Sequence, residues 1–278
     1  MHAMDVSRRF VLATLMSLCA AGAFAAQSAK KDNAVYEPTV GQEGKDVVWV
    51  PTSQALVNRM LDMAKLTAND VHYDLGSGDG RTVITAAKRG AKAYGVEYNP
   101  DMVALSKRNA QKEGVGEKVT FIHGDIFETD FSKATVITLF LLPELNVKLR
   151  PKILDMKPGT RVVSNSFTMG DWQADRTSKV GDKEGCSAYC TAYLWIVPAK
   201  VDGRWKLPEG ELTLKQTFQK IEGSLGSGQV SKGVVRGERV SFNVGGSQYS
   251  AKVNGDTMTG TVKSGGGSKA FTATRVGS

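Results

Sequence analysis

The stretch Val71-His72-Tyr73-Asp74-Leu75-Gly76-Ser77-Gly78-Asp79-Gly80-Arg81 constrains this chain more than any other. Strand-type residues lead to an acid, glycines follow at alternate positions, and a helix is expected to begin near Arg81. Gly76, Gly78 and Gly80 permit backbone angles and close approaches that a Cβ would block. The helix start presents unpaired N–H groups to a polar ligand. This pattern predicts the first βα turn of a doubly wound α/β sheet. It fits a dinucleotide site badly. That fingerprint needs Gly or Ala three positions after its second Gly, and Arg81 stands at that distance from Gly78.

Acidic residues end three successive expected strands. Asp74 closes the first, Glu97 closes Ala93-Tyr94-Gly95-Val96-Glu97, and Asp125 follows Val119-Thr120-Phe121-Ile122-His123-Gly124. A set of acids that merely solubilises a sheet edge is the plainer reading, but three in register weigh against it. On these residues the chain resembles the class I S-adenosylmethionine (SAM)-dependent methyltransferases, whose pattern is Asp-Leu-Gly-x-Gly-x-Gly, an acid after strand two and an Asp after strand three. The resemblance implies a Rossmann-like domain with SAM as cofactor, bound by Asp74, Gly76, Ser77, Gly78, Glu97, Tyr98, Asp125 and Ile126. Glu97 would accept from the ribose hydroxyls. Asp125 would accept from the adenine amine, with the Ile126 amide on a ring nitrogen. Asp74 would order the turn and reach the methionine ammonium.

A narrower likeness lies upstream. Val50-Pro51-Thr52 precedes an expected helix from Ser53 to Lys65, with Leu56, Val57, Met60, Leu61 and Ala64 on one face. Val-Pro-Thr before an Asp-Leu-Gly-Ser-Gly-Asp-Gly-Arg turn resembles the mitochondrial lysine methyltransferases of the ADP/ATP carrier and the ATP synthase c-subunit, with their bacterial relatives. The likeness runs from Val47 to Pro198. It implies a protein-lysine substrate and a site closed by Trp49 to Thr52. Many amino-group methyltransferases carry Asn/Asp-Pro-Pro-Tyr/Phe after strand four. This chain has Leu139-Phe140-Leu141-Leu142-Pro143 there, which rules against the DNA-amine and glutamine-methylating branches. Substrate-channel candidates are Pro51, Thr52, Phe140, Leu142, Pro143 and Trp172, and a core role for Phe140 is an equal alternative. Glu144 and Asp171 are candidate general bases by position alone. Methylation of a small molecule or lipid amine, and a non-catalytic exported module that retains the cofactor fold, remain alternatives.

The N-terminus reads as a targeting segment. Ser7-Arg8-Arg9 precedes an apolar run from Phe10 to Ala21, too short to span a bilayer, and Ala23-Phe24-Ala25 is a small-x-small cleavage site. The arginine pair resembles a twin-arginine export signal. The expected product is periplasmic or secreted and starts at Ala26, with an uncleaved membrane anchor as the alternative. Cys186 and Cys190 then remain, an even number suited to export. An extended strand would hold them about 13 Å apart, so a bridge needs a turn through Ser187-Ala188-Tyr189. A zinc site is not expected, because only His72 and His123 remain to join them.

Four regions are expected: a signal peptide (1–25), a flexible leader (26–46), a SAM-binding domain (47–200), and a small antiparallel β domain (201–278), either barrel or sandwich. The last alternates in period two between glycine-rich turns, while Asp202 to Pro208 reads as a linker or first turn. From Val201 onward eleven Lys/Arg face six Asp/Glu, so most of the chain's net charge of +8 lies there. That composition suits an anionic surface or acidic partner, although solvated lysines on outer strand faces explain it as well. No nucleic-acid motif is found, and no aromatic–basic interleaving that would stack bases.

Overall fold

The computed structural model describes residues 36–277. The expected signal segment therefore lies outside the described residues. Residues 37–277 belong to one compact unit that holds a sheet and a barrel.

The sheet has seven strands in the order β3-β2-β1-β4-β5-β7-β6. β1 (Val71–Leu75), β2 (Lys92–Glu97), β3 (Val119–His123), β4 (Val136–Leu139) and β5 (Arg161–Asn165) run parallel. β7 (Thr191–Ile196) is antiparallel to β5, and β6 (Arg176–Lys179) is antiparallel to β7. Strand order reverses between β1 and β4, the place where sheets of this kind open a crevice at their carboxyl ends.

Helices cover both faces, and strand alternation decides which face each residue meets. Val136, Val163 and Ala192 pack with Leu56 and Met60 of α1 (Gln54–Met63). Their neighbours Ile137, Leu139, Val162 and Trp195 pack with Leu149 and Ile153 of α4 (Pro143–Leu154). α2 (Arg81–Lys88) and α3 (Pro100–Lys112) join α1 through Val57, Leu61, Val83 and Val103. The Ser53 side chain caps α1 by accepting from the Leu56 amide at 3.3 Å. β4 stops at Leu139, and α4 begins at the proline that closes the apolar run after it. Pro143 enters at its first turn, where a missing N–H is harmless.

The second part is a closed eight-stranded barrel, not a sandwich, ordered β10-β11-β12-β13-β14-β15-β8-β9. Asp202 to Pro208 is not a linker: β8 (Gly203–Leu207) is a full strand, paired with β9 (Gly210–Thr217) on one side and β15 (Gly267–Arg275) on the other. Between them run β10 (Lys220–Leu225), β11 (Gly228–Arg236), β12 (Arg239–Val244), β13 (Ser247–Asn254) and β14 (Thr257–Ser264). Period-two residues such as Leu212, Leu214, Phe242, Tyr249, Met258 and Phe271 fill the interior, so this barrel is packed with side chains.

Trp172 is where the barrel meets the sheet. It is fully buried, its ring stacks on Phe218 at 5.9 Å between centroids, and its carbonyl accepts from Trp195 Nε1 at 2.8 Å. Beside it, Gln219 Nε2 donates to the Gln173 carbonyl at 2.7 Å, and Arg236 lies 3.7 Å from the buried Asp175 carboxylate.

Candidate active site

A cavity of about 410 Å³ opens where the strand order reverses. Its floor is the turn after β1. Gly76 and Gly78 have φ of +82° and +52°, the left-handed region that favours glycine. A Cβ on Gly78 would sit 2.7 Å from Trp49 Nε1, and one on Gly76 would crowd Leu141 at 3.2 Å.

Glu97 lies at the end of β2. Its two carboxylate oxygens accept from the Gly78 amide and the Asn99 amide, both at 2.9 Å. It therefore ties the glycine turn to the start of α3, while each oxygen keeps a further lone pair for a ligand. Ser77 Oγ is buried in the same lining and has no partner within the protein.

Asp74 is buried, and burial pushes its carboxyl up to about 7; the nearby Asp79 and Glu97 charges add to the rise, while Thr138 opposes it. Thr138 Oγ1 donates to Asp74 Oδ1 at 2.5 Å and lies 2.8 Å from His72 Nε2. With the hydroxyl proton given to Asp74, Thr138 oxygen accepts from His72 Nε2–H. Burial holds His72 down at about 3, so the ring is neutral. The chain His72–Thr138–Asp74 orients a buried carboxylate that faces the cavity with little else to balance its charge. Such a group calls for a cation.

Asp125 accepts from the Phe127 amide at 2.8 Å and from Lys45 Nζ at 2.5 Å. Lys45 arrives from a short hairpin closed by the Gly41 amide on the Trp49 carbonyl and the Trp49 amide on the Gln42 carbonyl, each at 2.9 Å. The end of the expected leader, Gln42 to Asp46, is thus part of the cavity wall.

All eight residues expected to bind the cofactor line this one cavity. Pro51, Thr52, Phe140 and Leu142 line it as well. Thr52 is held from two sides, its carbonyl by Arg81 Nη1 at 2.9 Å and its hydroxyl by Asn165 Nδ2 at 3.1 Å. Trp172 and Pro143 do not line it: Trp172 lies in the core under Phe218, and Pro143 turns the chain into α4. Glu144 and Asp171 also stand outside the lining, and Arg150 pairs with Asp171 and lowers its carboxyl, a poor setting for a base. Sequence reasoning missed Phe167 and Tyr189, which close the cavity beside Phe140. Tyr189 is carried by a loop closed by a disulfide between Cys186 and Cys190, whose Cα atoms are 5.7 Å apart.

The residues present suit SAM: glycines that admit a close ligand, an unpartnered hydroxyl, a carboxylate with free lone pairs, and a buried acid that needs a cation.

Comparison with known proteins agrees. The model of the ANTKMT methyltransferase domain matches residues 74–176. A protein-lysine N-methyltransferase of Saccharolobus islandicus is 43% identical over 154 residues, which are 54% of this chain and 94% of that protein. The Xenopus laevis lysine N-methyltransferase of the ATP synthase c-subunit is 33% identical over 128 residues, 46% of this chain but only 56% of that one. Among solved structures, one described as an RNA methyltransferase from Salinibacter ruber, bound to S-adenosyl-L-homocysteine, is 48% identical. It has a TM-score of 0.51 and aligns with 55% of this chain and 96% of its own. The chain belongs to the ANTKMT-type family of class I SAM-dependent methyltransferases.

Proposed function

We propose that the chain transfers a methyl group from SAM to the side-chain amine of a protein lysine. The observation that carries this reading is the identity to the archaeal lysine methyltransferase over nearly all of that protein's length, together with the apolar edge beside the cofactor cavity. The bound cofactor supplies a methyl group already activated on a sulfonium. The protein has only to bind, align and exclude water. Glu97 receives the ribose, Asp125 the adenine amine, and Asp74 the ammonium of the methionine part. An adenine amine bound there would take the place of Lys45 on Asp125. Leu139, Phe140 and Leu142 offer the acceptor an apolar path, and desolvation there favours the neutral amine that attacks. An amine held in line with that methyl would take it through its lone pair while the sulfonium sulfur kept the bonding pair and left as a neutral thioether, and the ammonium so formed would lose its proton to water.

The mature chain acts outside the cytoplasm. The Ser7-Arg8-Arg9 start, the Ala23-Phe24-Ala25 site and a disulfide between the two remaining cysteines support this. Fractionation with N-terminal sequencing checks it: a periplasmic product starting at Ala26 is expected, and a full-length cytosolic product refutes it.

The test of the activity is incubation of the mature chain with deuteromethyl-labelled SAM and separate envelope-protein, RNA and lipid fractions. Label on lysine, absent with Glu97→Ala, is expected. Label confined to RNA, lipid or a free amine overturns the lysine reading.

A further inference from the structure

Three aromatic rings meet at the mouth of the cavity. Phe140 follows β4, Phe167 follows β5, and Tyr189 comes from the disulfide loop. Their centroids are 6.0 Å (Phe140–Phe167), 5.3 Å (Phe140–Tyr189) and 6.1 Å (Phe167–Tyr189) apart. Rings at such distances touch one another and make a continuous wall. This wall is not core packing, because Tyr189 is 48% exposed and all three residues line the cavity.

Tyr189 is placed there with some insistence. Its φ is +53°, a backbone conformation that tyrosine rarely adopts. Such outliers persist where surrounding structure dictates them, and they concentrate at functional sites. Here the disulfide does the dictating. Cys186 is buried against Leu56, Met60 and Val180, so one end of the loop is anchored in the core under α1. The other end continues directly into β7, where the Cys190 carbonyl accepts from the Val180 amide at 2.9 Å. The bridge forces the three residues between the cysteines to turn and present the tyrosine ring to Phe140.

We propose that Phe140, Phe167 and Tyr189 form the acceptor subsite, a wall that recognises the alkylammonium end of the substrate side chain, and that the Cys186–Cys190 bridge positions Tyr189 within it. This rests on the lysine reading and makes it more specific. A cation lying on an aromatic face is held by the ring quadrupole, most effectively where water is thin. Methylation turns the acceptor into an ammonium whose charge is spread over methyl groups and which is poorly hydrated, so the wall favours partly methylated chains.

The test compares two peptides that differ at one position, Nε-trimethyllysine in one and its neutral carbon isostere in the other. Each is titrated by NMR into the mature, disulfide-intact chain saturated with S-adenosyl-L-homocysteine. The charged peptide should bind about five- to thirty-fold more tightly, the range expected of a cation on aromatic rings. Tyr189→Ala should abolish the preference and Tyr189→Phe should keep it. The Cys186→Ser/Cys190→Ser double variant should reduce it while still binding S-adenosyl-L-homocysteine, which reports a folded cofactor site. Equal affinity for the two peptides, no binding of either, or a preference that survives Tyr189→Ala overturns the subsite. A preference unchanged in the double serine variant overturns the positioning role of the bridge. Lysine labelling without any charge preference sinks the subsite alone, and charge preference without lysine labelling sinks the lysine reading alone.

Discussion

Asp74 makes cofactor binding a function of pH. Burial pushes its carboxyl up to about 7, so in the free protein it is half protonated near neutrality. An ammonium placed beside it favours the ionised form, and the complex should hold Asp74 ionised well below that value. Binding therefore releases a proton wherever the free protein carries one. With the ionised form as the competent one, the apparent Kd rises about 100-fold at pH 5 over its plateau, and about 10-fold at pH 6, the first being roughly 2.7 kcal/mol. Calorimetric titration with S-adenosyl-L-homocysteine between pH 5 and pH 8, in buffers of different ionisation enthalpy, measures both the affinity and the proton count. Close to one proton should leave at pH 5.5 and about a tenth of one at pH 8. Asp74→Asn should bind weakly and without this slope. A flat affinity from pH 5 to 8 with no proton release would refute the argument. The sign for stability is opposite. An acid whose folded value lies above its unfolded one stabilises the protonated fold, so the ligand-free protein loses stability as pH climbs from about 4 to about 7.

Other outcomes follow from the same geometry. Glu97→Ala removes the acceptor shared by the Gly78 and Asn99 amides and should weaken cofactor binding by about 2–4 kcal/mol in the same titration. Thr138→Val strips Asp74 of its hydrogen bond and should move the midpoint of the pH–affinity curve upward, with a loss of about 1–3 kcal/mol at pH 7. Trp172→Ala opens a hole beneath the barrel and should lower stability by about 3–5 kcal/mol in denaturant unfolding; a change below about 1 kcal/mol would show that the ring is not the joint described.

The parts of this protein that were legible in the sequence are those fixed by short-range chemistry. The glycine turn, the acids at three strand ends and the face of α1 each depend on a few adjacent residues, and each stands where expected. What escaped depends on distant partners. Trp172 looks like a channel residue until Phe218, far along the chain, is seen to cover it. α4 starts at Pro143, where the apolar run after β4 ends, and Pro151 within it weakens the helical signal. The polar stretch around Lys45 has no periodicity, yet Asp125 and the hairpin give it a place. Tyr189 carries no local mark of function, and only the closure of the cysteine loop brings it to Phe140.

The barrel closes by joining its first strand to its last, with Thr274 opposite Lys206 and Arg275 opposite Trp205. It cannot seal until β15 has been made. The sheet is complete in sequence by Ile196, so until the barrel strands follow, its Trp172 surface stands bare, with Phe218, Gln219 and Arg236 not yet in position. A chain cut after Pro198 would keep the cofactor cavity but remain in that unfinished condition permanently. Its exposed tryptophan, and an Asp175 that keeps the Ile196 amide but lacks Arg236, would make it a sticky species, not a smaller enzyme. The barrel, whatever else it meets, is the lid that ends the folding of the domain before it.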